Sequence, residues 1–500
     1  MNLAIINTRS TLGISAENVL IETHISNGLP AFSMVGLPET AVKESKERVR
    51  SAIINANFEF PNRRITVNLS PASLPKSGCG FDLPIAISIL IASNQLECSD
   101  LDSIEILGEL ALTGELRALP FVLPSVLHAE KDGRTLIIPS GNESEAAIAE
   151  PRNTVHAKHL LDVCNFLAKK IQLPHVQAPP PLPTAPHPLN WTDIKGQQIA
   201  KRALEIAAAG GHHCLLFGPP GSGKTMLAQR FITILPKLSK QQTIESLLIH
   251  SLCPEKSSRS INDQLPPFQS PHHTCSDLAL VGGGTPIKPG EISLAHEGVL
   301  FLDEFPEFKK KAIESLREPL ESGQITIARA ASCSTFPCQF QLITAMNPCP
   351  CGNLNNPRNN CVCDARQIKS YQSKLSGPLM DRIDLFIDVA PIPIKDLQGP
   401  SDGDNSDAVK ARVNATQTKQ KERQGKLNGR LNSQELERHC HMNKEASDIA
   451  SLAIDQLGLS ARSYFRVIKV ARTIADMEQT DLIEAPHLKE ALSYRNKLPC

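Results

Sequence analysis

Gly218-Pro-Pro-Gly-Ser-Gly-Lys-Thr225 satisfies G-x-x-x-x-G-K-[ST] in full. Each position has a use if the ligand is a nucleoside triphosphate. Gly218, Pro219, Pro220, Gly221, Ser222 and Gly223 can turn their backbone N–H groups toward phosphates, and a helix starting at Gly223 favours the negative charge. Lys224 can reach the β and γ phosphates, and the Thr225 hydroxyl can ligate Mg²⁺. About eighty residues on, Gly298-Val-Leu-Phe-Leu-Asp-Glu304 reads as an apolar strand ending in two carboxylates. Asp303 would hold Mg²⁺, and Glu304 would orient or activate a water attacking the γ phosphate. The chemistry these residue types suit is ATP hydrolysis.

Three further groups bear on that site. Phe340-Gln-Leu-Ile-Thr-Ala-Met-Asn347 reads as a central strand whose last residue, Asn347, could position the lytic water. Arg382, in Ser376-Gly-Pro-Leu-Met-Asp-Arg-Ile-Asp384, has two readings by spacing. It is either a salt-bridge partner of Asp381 or Asp384, or an arginine delivered to a neighbour's γ phosphate to stabilise transition-state charge. Cys349-Pro-Cys351 and Cys361-Val-Cys363 form C-x-C, nine residues, C-x-C. Two such knuckles suit one tetrahedral Zn²⁺ per chain, the alternatives being reduced surface thiols and, third, an iron–sulfur cluster. Cys253, His272, His273 and Cys275 have poorer spacing and read as incidental.

The elements that must position these groups follow from periodicity. The helix 197–209, the apolar strand His213-Cys-Leu-Leu-Phe217 and a helix from Gly223 give the strand–loop–helix opening of an α/β nucleotide-binding domain. Before it, residues 1–175 read as mixed α/β, with helices over 39–56 and 83–96 and an alternating strand Ile65-Thr-Val-Asn-Leu69. Six prolines between Ala178 and Pro188 mark residues 176–190 as a semi-rigid spacer. Residues 191–395 are the expected ATPase core. A turn-rich stretch near 396–408 then opens a helical section, 396–500, with helices over 408–424, 433–439, 443–457, 460–476 and 485–494. Within it Lys419, Lys421, Arg423, Lys426 and Arg430 make a basic run, read as a solvated helix face or as a surface for DNA.

Composition bounds the rest. The chain has 500 residues, 52 basic and 52 acidic, so its formal net charge is zero. Neither a disordered acidic chain nor a basic nucleic-acid tail protein is expected. The longest apolar run, Leu83 to Ala92, is half the ~20 residues of a membrane helix. With no signal-like leader at the N-terminus, a cytoplasmic protein without membrane partners is expected, its fourteen cysteines reduced.

The chain resembles the AAA+ ATPases, and within them the magnesium-chelatase-like ComM/YifB family. The motifs that carry this are GPPGSGKT (218–225), SDLALVGGGTPIKPGEISLAHEGVLFLDE (276–304), REPLESGQITIARA (317–330), TAMNPCPCG (344–352), LSGPLMDRIDL (375–385) and LSARSYFRVIKVARTIAD (459–476). The resemblance implies a P-loop AAA+ core with an α-helical lid, assembled as a hexameric ring with ATP and Mg²⁺ at subunit interfaces. It favours Arg382 as a finger acting in trans, and it matches Arg462 to a lid arginine that contacts nucleotide in cis, with Arg466 more suited to helix packing. It further implies a helicase-type motor promoting DNA branch migration during recombination in natural transformation, on single-stranded or branched DNA and alongside other recombination proteins. Two alternatives are a chelatase-type motor inserting Mg²⁺ into a porphyrin and a Lon-like unfoldase or protease.

In relatives of this branch, the loop Gly282-Gly-Gly-Thr-Pro-Ile-Lys-Pro-Gly290 and a hairpin over Glu321–Arg329, with its turn at Ser322-Gly323, point into the pore. Lys288 and Arg329, repeated by symmetry, would then contact DNA phosphates while the outer surface stays neutral. Residues 62–92 resemble the α+β fold shared by ribosomal protein S5 domain 2 and the Lon protease domain. Where the Lon pattern places its serine this chain has Gly80, and no lysine occurs between residues 116 and 129, the next being Lys131. A Ser–Lys dyad needs both groups within hydrogen-bond reach, so a protease-inactive binding or ring-organising domain is expected. Ser77 beside Lys76 is a poor substitute, since adjacent residues on a turn more often point apart.

Overall fold

The computed structural model describes every residue except 1–2, 38, 75, 77, 178–187, 254–263, 285–286, 330–331, 355, 357–358, 394–402, 458 and 496–500. The proline-rich spacer, Ser77 and most of the turn-rich stretch before the helical section therefore lie outside the described residues. The chain divides into two compact units, Met1–Pro183 with Leu247–Asn262, and Thr184–Ser246 with Asp263–Cys500. No helix among the described residues is long and apolar enough to cross a membrane.

The first unit is built on a seven-stranded mixed sheet. Its order is Ala31–Val35, Arg64–Ser70, Ser15–Ser26, Leu3–Leu12, Ile104–Ile106, Thr135–Pro139, Thr154–Ala157. Strand periodicity sends alternate residues to opposite faces. Ile106 and Ile137 join the core formed with the helices Thr40–Asn55 and Asp82–Ala92. Leu107, Leu136 and Ile138 join a second core under the helix Leu123–Lys131. The helix Asp82–Ala92 is apolar nearly all round because it is buried nearly all round. Gly80 sits against the Leu119 side chain, and Lys131 is exposed at the end of its helix. Lys76 is buried, its Nζ donating to the Pro71 carbonyl, and burial lowers its pKa.

In the second unit five parallel strands lie in the order Phe268–Gln269, Val299–Leu302, Gln341–Met346, Cys214–Phe217, Leu385–Asp388. Both faces are covered, which is why Cys214–Phe217 and Val299–Leu302 are uninterrupted apolar runs buried at every position. The strand first in the chain lies between the two last. Phe217 aligns with Met346, and Leu302 with Thr344. The carboxyl ends of three neighbouring strands therefore open together onto the crevice where parallel sheets bind ligands.

The helical section packs on the same core. Helices Ser406–Gln424, Ser433–His439, Lys444–Leu457, Ala461–Met477 and Ala485–Ser493 place Val409, Val413, Leu436, Val467, Ala471 and Ile474 against residues of the helix Gln198–Gly210 and the sheet. Their starts are written locally: Asn405, Asn432 and Ser460 accept backbone N–H groups of the first turns. Inside, Arg472 and Arg423 both donate to Asp476, with Nη distances of 2.8 and 2.5 Å, and Asn428 donates to the same carboxylate. The basic run is thus not a free face. Arg423 is bound to Asp476, Lys426 to Glu435 at 2.6 Å, and Arg430 to Gln339.

The hairpin expected around Ser322-Gly323 is shifted along the chain. Pro319–Ser322 is a short helix, and Gly323, at φ 68°, ends it. The hairpin proper pairs Gln324–Arg329 with Ser332–Pro337, so Ser322-Gly323 is not its turn. A helix can use glycine at its C-terminus as readily as a hairpin can at its turn, and spacing alone does not separate the two.

Candidate functional site

The phosphate loop leaves the strand Cys214–Phe217 and enters the helix Lys224–Phe231 at Gly223, whose φ of 94° needs glycine. Gly218 is packed against the Val389 carbonyl, 2.3 Å from where a Cβ would be. Gly221, also left-handed, faces open space, as a backbone that must approach a ligand should. Lys224 is buried and its Nζ donates to the Gly218 and Pro219 carbonyls at 2.8 and 3.0 Å and to Asn347 Oδ1 at 3.2 Å. Burial lowers its pKa to about 8, against a smaller opposing pull from Asp303. Thr225 Oγ1 donates to Asp303 Oδ2 at 2.6 Å. Residues from three strand ends thus meet: Lys224 and Thr225, Asp303, and Asn347. The paired hydroxyl and carboxylate oxygens of Thr225 and Asp303 are hard ligands of the kind Mg²⁺ takes.

Glu304 has φ 50°, a left-handed turn at the strand's end. Its Oε2 pairs with His273 Nδ1 at 3.0 Å, and the His272 ring lies against His273 with centroids 4.2 Å apart and planes tilted by 33°. His273 belongs to the Cys/His group whose spacing reads as incidental, and spacing gives no hint of this pairing. The signal that could find it is its place just after the strand Phe268–Gln269, which pairs with Val299–Leu302. Asn347, expected near the lytic water, accepts a hydrogen bond from Lys224 at its Oδ1.

Arg382 is buried and paired not with Asp381 or Asp384 but with Glu321, and its Nε has no partner among the described residues. Desolvation lowers its pKa. Asp384 is taken by Arg466 at 2.6 Å and by the His213 backbone N–H at 2.9 Å, so Arg466 braces the lid helix on the sheet. Arg462 lies 3.8 Å from the same Glu321 carboxylate as Arg382. One acidic side chain therefore collects both arginines, and position does not separate a cis role from a trans one.

Glu321 lies just before the hairpin. On the hairpin, Ile325 and Ile327 are buried while Gln324 and Thr326 are exposed. The loop forms a small ribbon, Gly282–Gly283 against Lys288–Pro289, with Lys288 exposed. A Cβ on Gly282 would come within 2.6 Å of Ile327 Cδ1, so loop and hairpin pack directly on each other. The Arg329 side chain lies outside the described residues.

Among the described residues one group can hold a metal: Cys349, Cys351, Cys361 and Cys363, with all four sulfurs within 4.8 Å. Three of the separations are 3.4, 3.6 and 3.6 Å. Four sulfurs ~2.3 Å from a tetrahedral Zn²⁺ lie about 3.8 Å apart, so the cluster fits. Backbone N–H groups of Leu354 and Cys351 donate to Cys349 and Cys363 Sγ at 3.3 and 3.4 Å, orienting the ligands. The backbone N–H groups of Asn353 and Val362 hold the Cys351 thiol down to about 6. Cys253 and Cys275 join no such group.

Three family profiles match the chain: "Magnesium chelatase, subunit ChlI" over residues 190–397, "Subunit ChlI of Mg-chelatase" over 21–142 and "Magnesium chelatase, subunit ChlI C-terminal" over 403–495. The chain is 49% identical to competence protein ComM of Haemophilus influenzae, across 99% of this chain and 98% of that one. It is 47% identical to the YifB protein of Escherichia coli across 99% and 97%. Lon protease 2 of Bacillus subtilis is 30% identical over 30% of this chain and 28% of its own. The mixed α/β units, the parallel sheet carrying the phosphate loop and the full-length matches agree: this chain belongs to the ComM/YifB family of magnesium-chelatase-like AAA+ ATPases.

Proposed function

We propose that this chain is the subunit of a hexameric, ATP-driven ring that moves DNA, promoting branch migration when incoming DNA recombines in natural transformation. The observation that carries the motor is the meeting of Lys224, Thr225, Asp303 and Asn347 at three aligned strand ends. The backbone of 218–223 and the Lys224 ammonium bind the triphosphate. Thr225 and Asp303 hold Mg²⁺, which when bound neutralises phosphate charge. Glu304, released from His273, takes the proton of the attacking water. Arg382 reaches the nucleotide of a neighbouring subunit, and Arg462 contacts the nucleotide of its own subunit. One Zn²⁺ sits in the four-cysteine cluster.

The DNA part is supported by the packing of loop 282–290 on the hairpin 324–337, and by the full-length likeness to a protein named for competence. Lys288 and Arg329 supply the phosphate contacts. A chelatase role has weaker support. The magnesium-chelatase 38 kDa subunit of Cereibacter sphaeroides is 25% identical over only 32% of this chain. Purified protein, ATP and a branched DNA substrate test the reading, with Lys224→Ala as control. DNA-stimulated hydrolysis and strand movement that the control lacks are expected. Hydrolysis that ignores DNA, with no strand movement on any branched or single-stranded substrate, overturns it.

A further inference from the structure

The four-cysteine cluster is not remote from the phosphate loop. The segment Asn347-Pro-Cys349-Pro-Cys351-Gly352 leaves the strand Gln341–Met346 and touches the loop at both of its ends. At one end Asn347 Oδ1 accepts the Lys224 ammonium at 3.2 Å. At the other, Gly352 lies against Pro220, third residue of the phosphate loop. A Cβ on Gly352 would be 2.6 Å from Pro220 Cδ and 3.1 Å from Cγ, and its φ of 78° suits glycine. Between these two contacts stand two of the four sulfurs, Cys349 buried and Cys351 half-buried. The Cys349 sulfur also accepts the Leu354 N–H, closing the backbone turn that presents Gly352. Gln372 Nε2 donates to the Pro348 carbonyl at 3.2 Å and ties the same segment to the helix Ala365–Gln372.

We propose that the metal held by Cys349, Cys351, Cys361 and Cys363 is a positioning device for nucleotide binding: it fixes the 347–352 segment, which in turn clamps the phosphate loop at Pro220 and Lys224. Without a metal nothing bridges the four sulfurs, so the two knuckles are no longer tied together and the Gly352 wall is free to retreat from Pro220. The loop must then be ordered by the nucleotide itself, and affinity falls. The inference rests on residues 218–225 being the nucleotide site and on the cluster holding zinc.

The test measures metal content and nucleotide affinity separately, on the full chain. Zinc is counted by elemental analysis, and the dissociation constant of a fluorescent ATP analogue is read for wild type, for wild type stripped with a thiophilic chelator, and for stripped protein given Zn²⁺ back. Stripping should weaken binding about tenfold or more, and returning zinc should restore it, which a merely unfolded sample would not do. Cys361→Ser with Cys363→Ser should behave like stripped protein. Gly352→Ala should keep one zinc per chain and still bind nucleotide several-fold more weakly, because it pushes on Pro220 with the metal in place.

The outcomes separate the readings. Protein that binds the analogue and holds zinc, but keeps its affinity when stripped and as Gly352→Ala, overturns the clamp alone. Protein without metal overturns the zinc reading and the clamp together, and protein that binds no nucleotide overturns the ATPase.

Discussion

Lys224 shows what burial does to a single group in this molecule. Its amine is screened from water by the loop it belongs to and held at a pKa of about 8. Phosphates are bound by the ammonium and not by the amine, so nucleotide affinity should fall as pH rises through 8, by up to ~10-fold per unit. Lys224→Arg, whose guanidinium keeps its proton, should lose that limb. A wild-type affinity that is flat from pH 7 to 9.5 contradicts the assignment. Between 8 and the ordinary lysine value of 10.5 the folded chain binds fewer protons at this position than the unfolded one. Lys224's own contribution to stability therefore rises with pH over the window in which binding weakens. Glu304 gives the second residue-scale expectation. Glu304→Gln keeps the shape of the strand's end but cannot take a proton, so it should bind ATP with near-normal affinity and turn over about 10²-fold or more slowly. Single-turnover hydrolysis reads this directly, and near-normal turnover removes Glu304 from the reaction.

At the scale of elements, the lid is stapled by charge as well as by apolar packing. Asp476 is fully buried between Arg472 and Arg423. Asp476→Ala leaves Arg472 inside with no carboxylate and should destabilise the lid by about 3–5 kcal/mol, seen as a lowered urea midpoint. A shift too small to measure would mean the arginines reach water on their own. The loop and hairpin are coupled differently, by the packing of Gly282 on Ile327, which leaves Lys288 at the exposed edge of the ribbon. Lys288→Ala should weaken single-stranded DNA binding without altering ATP affinity. The log–log salt dependence should flatten by about 0.7 for each phosphate no longer neutralised. An unchanged salt slope places the DNA elsewhere.

At the scale of the whole molecule, the proposed ring would have each site completed by its own subunit or by a neighbour. Arg382 and Arg462 meet at Glu321, whereas Lys224, Thr225, Asp303 and Asn347 meet at the strand ends. If the finger is supplied in trans, Lys224→Ala and Arg382→Ala should each be inactive alone. A one-to-one mixture should recover hydrolysis, because a Lys224→Ala subunit still lends its arginine to a neighbour. Mixtures no more active than the two variants separately would mean that Arg382 serves its own subunit. The neutral net charge is consistent with this scale of organisation: a few cations repeated by symmetry can hold DNA that a balanced surface would not.

Much of this is legible in the linear sequence because it is written at short range. The phosphate loop, the carboxylate pair after an apolar strand, and the C-x-C knuckles each depend on residues close together in the chain. Backbone geometry and hydrophobic period specify them there. What only the tertiary structure decided are pairings across long stretches of chain, where spacing carries no information. His273 came to Glu304, Arg382 and Arg462 came to one Glu321, and Arg466 rather than Arg382 took Asp384. The basic run 419–430 spent much of its charge inside the lid. Gly352 landed on Pro220, far away in sequence, because a parallel sheet sets the ends of distant strands side by side.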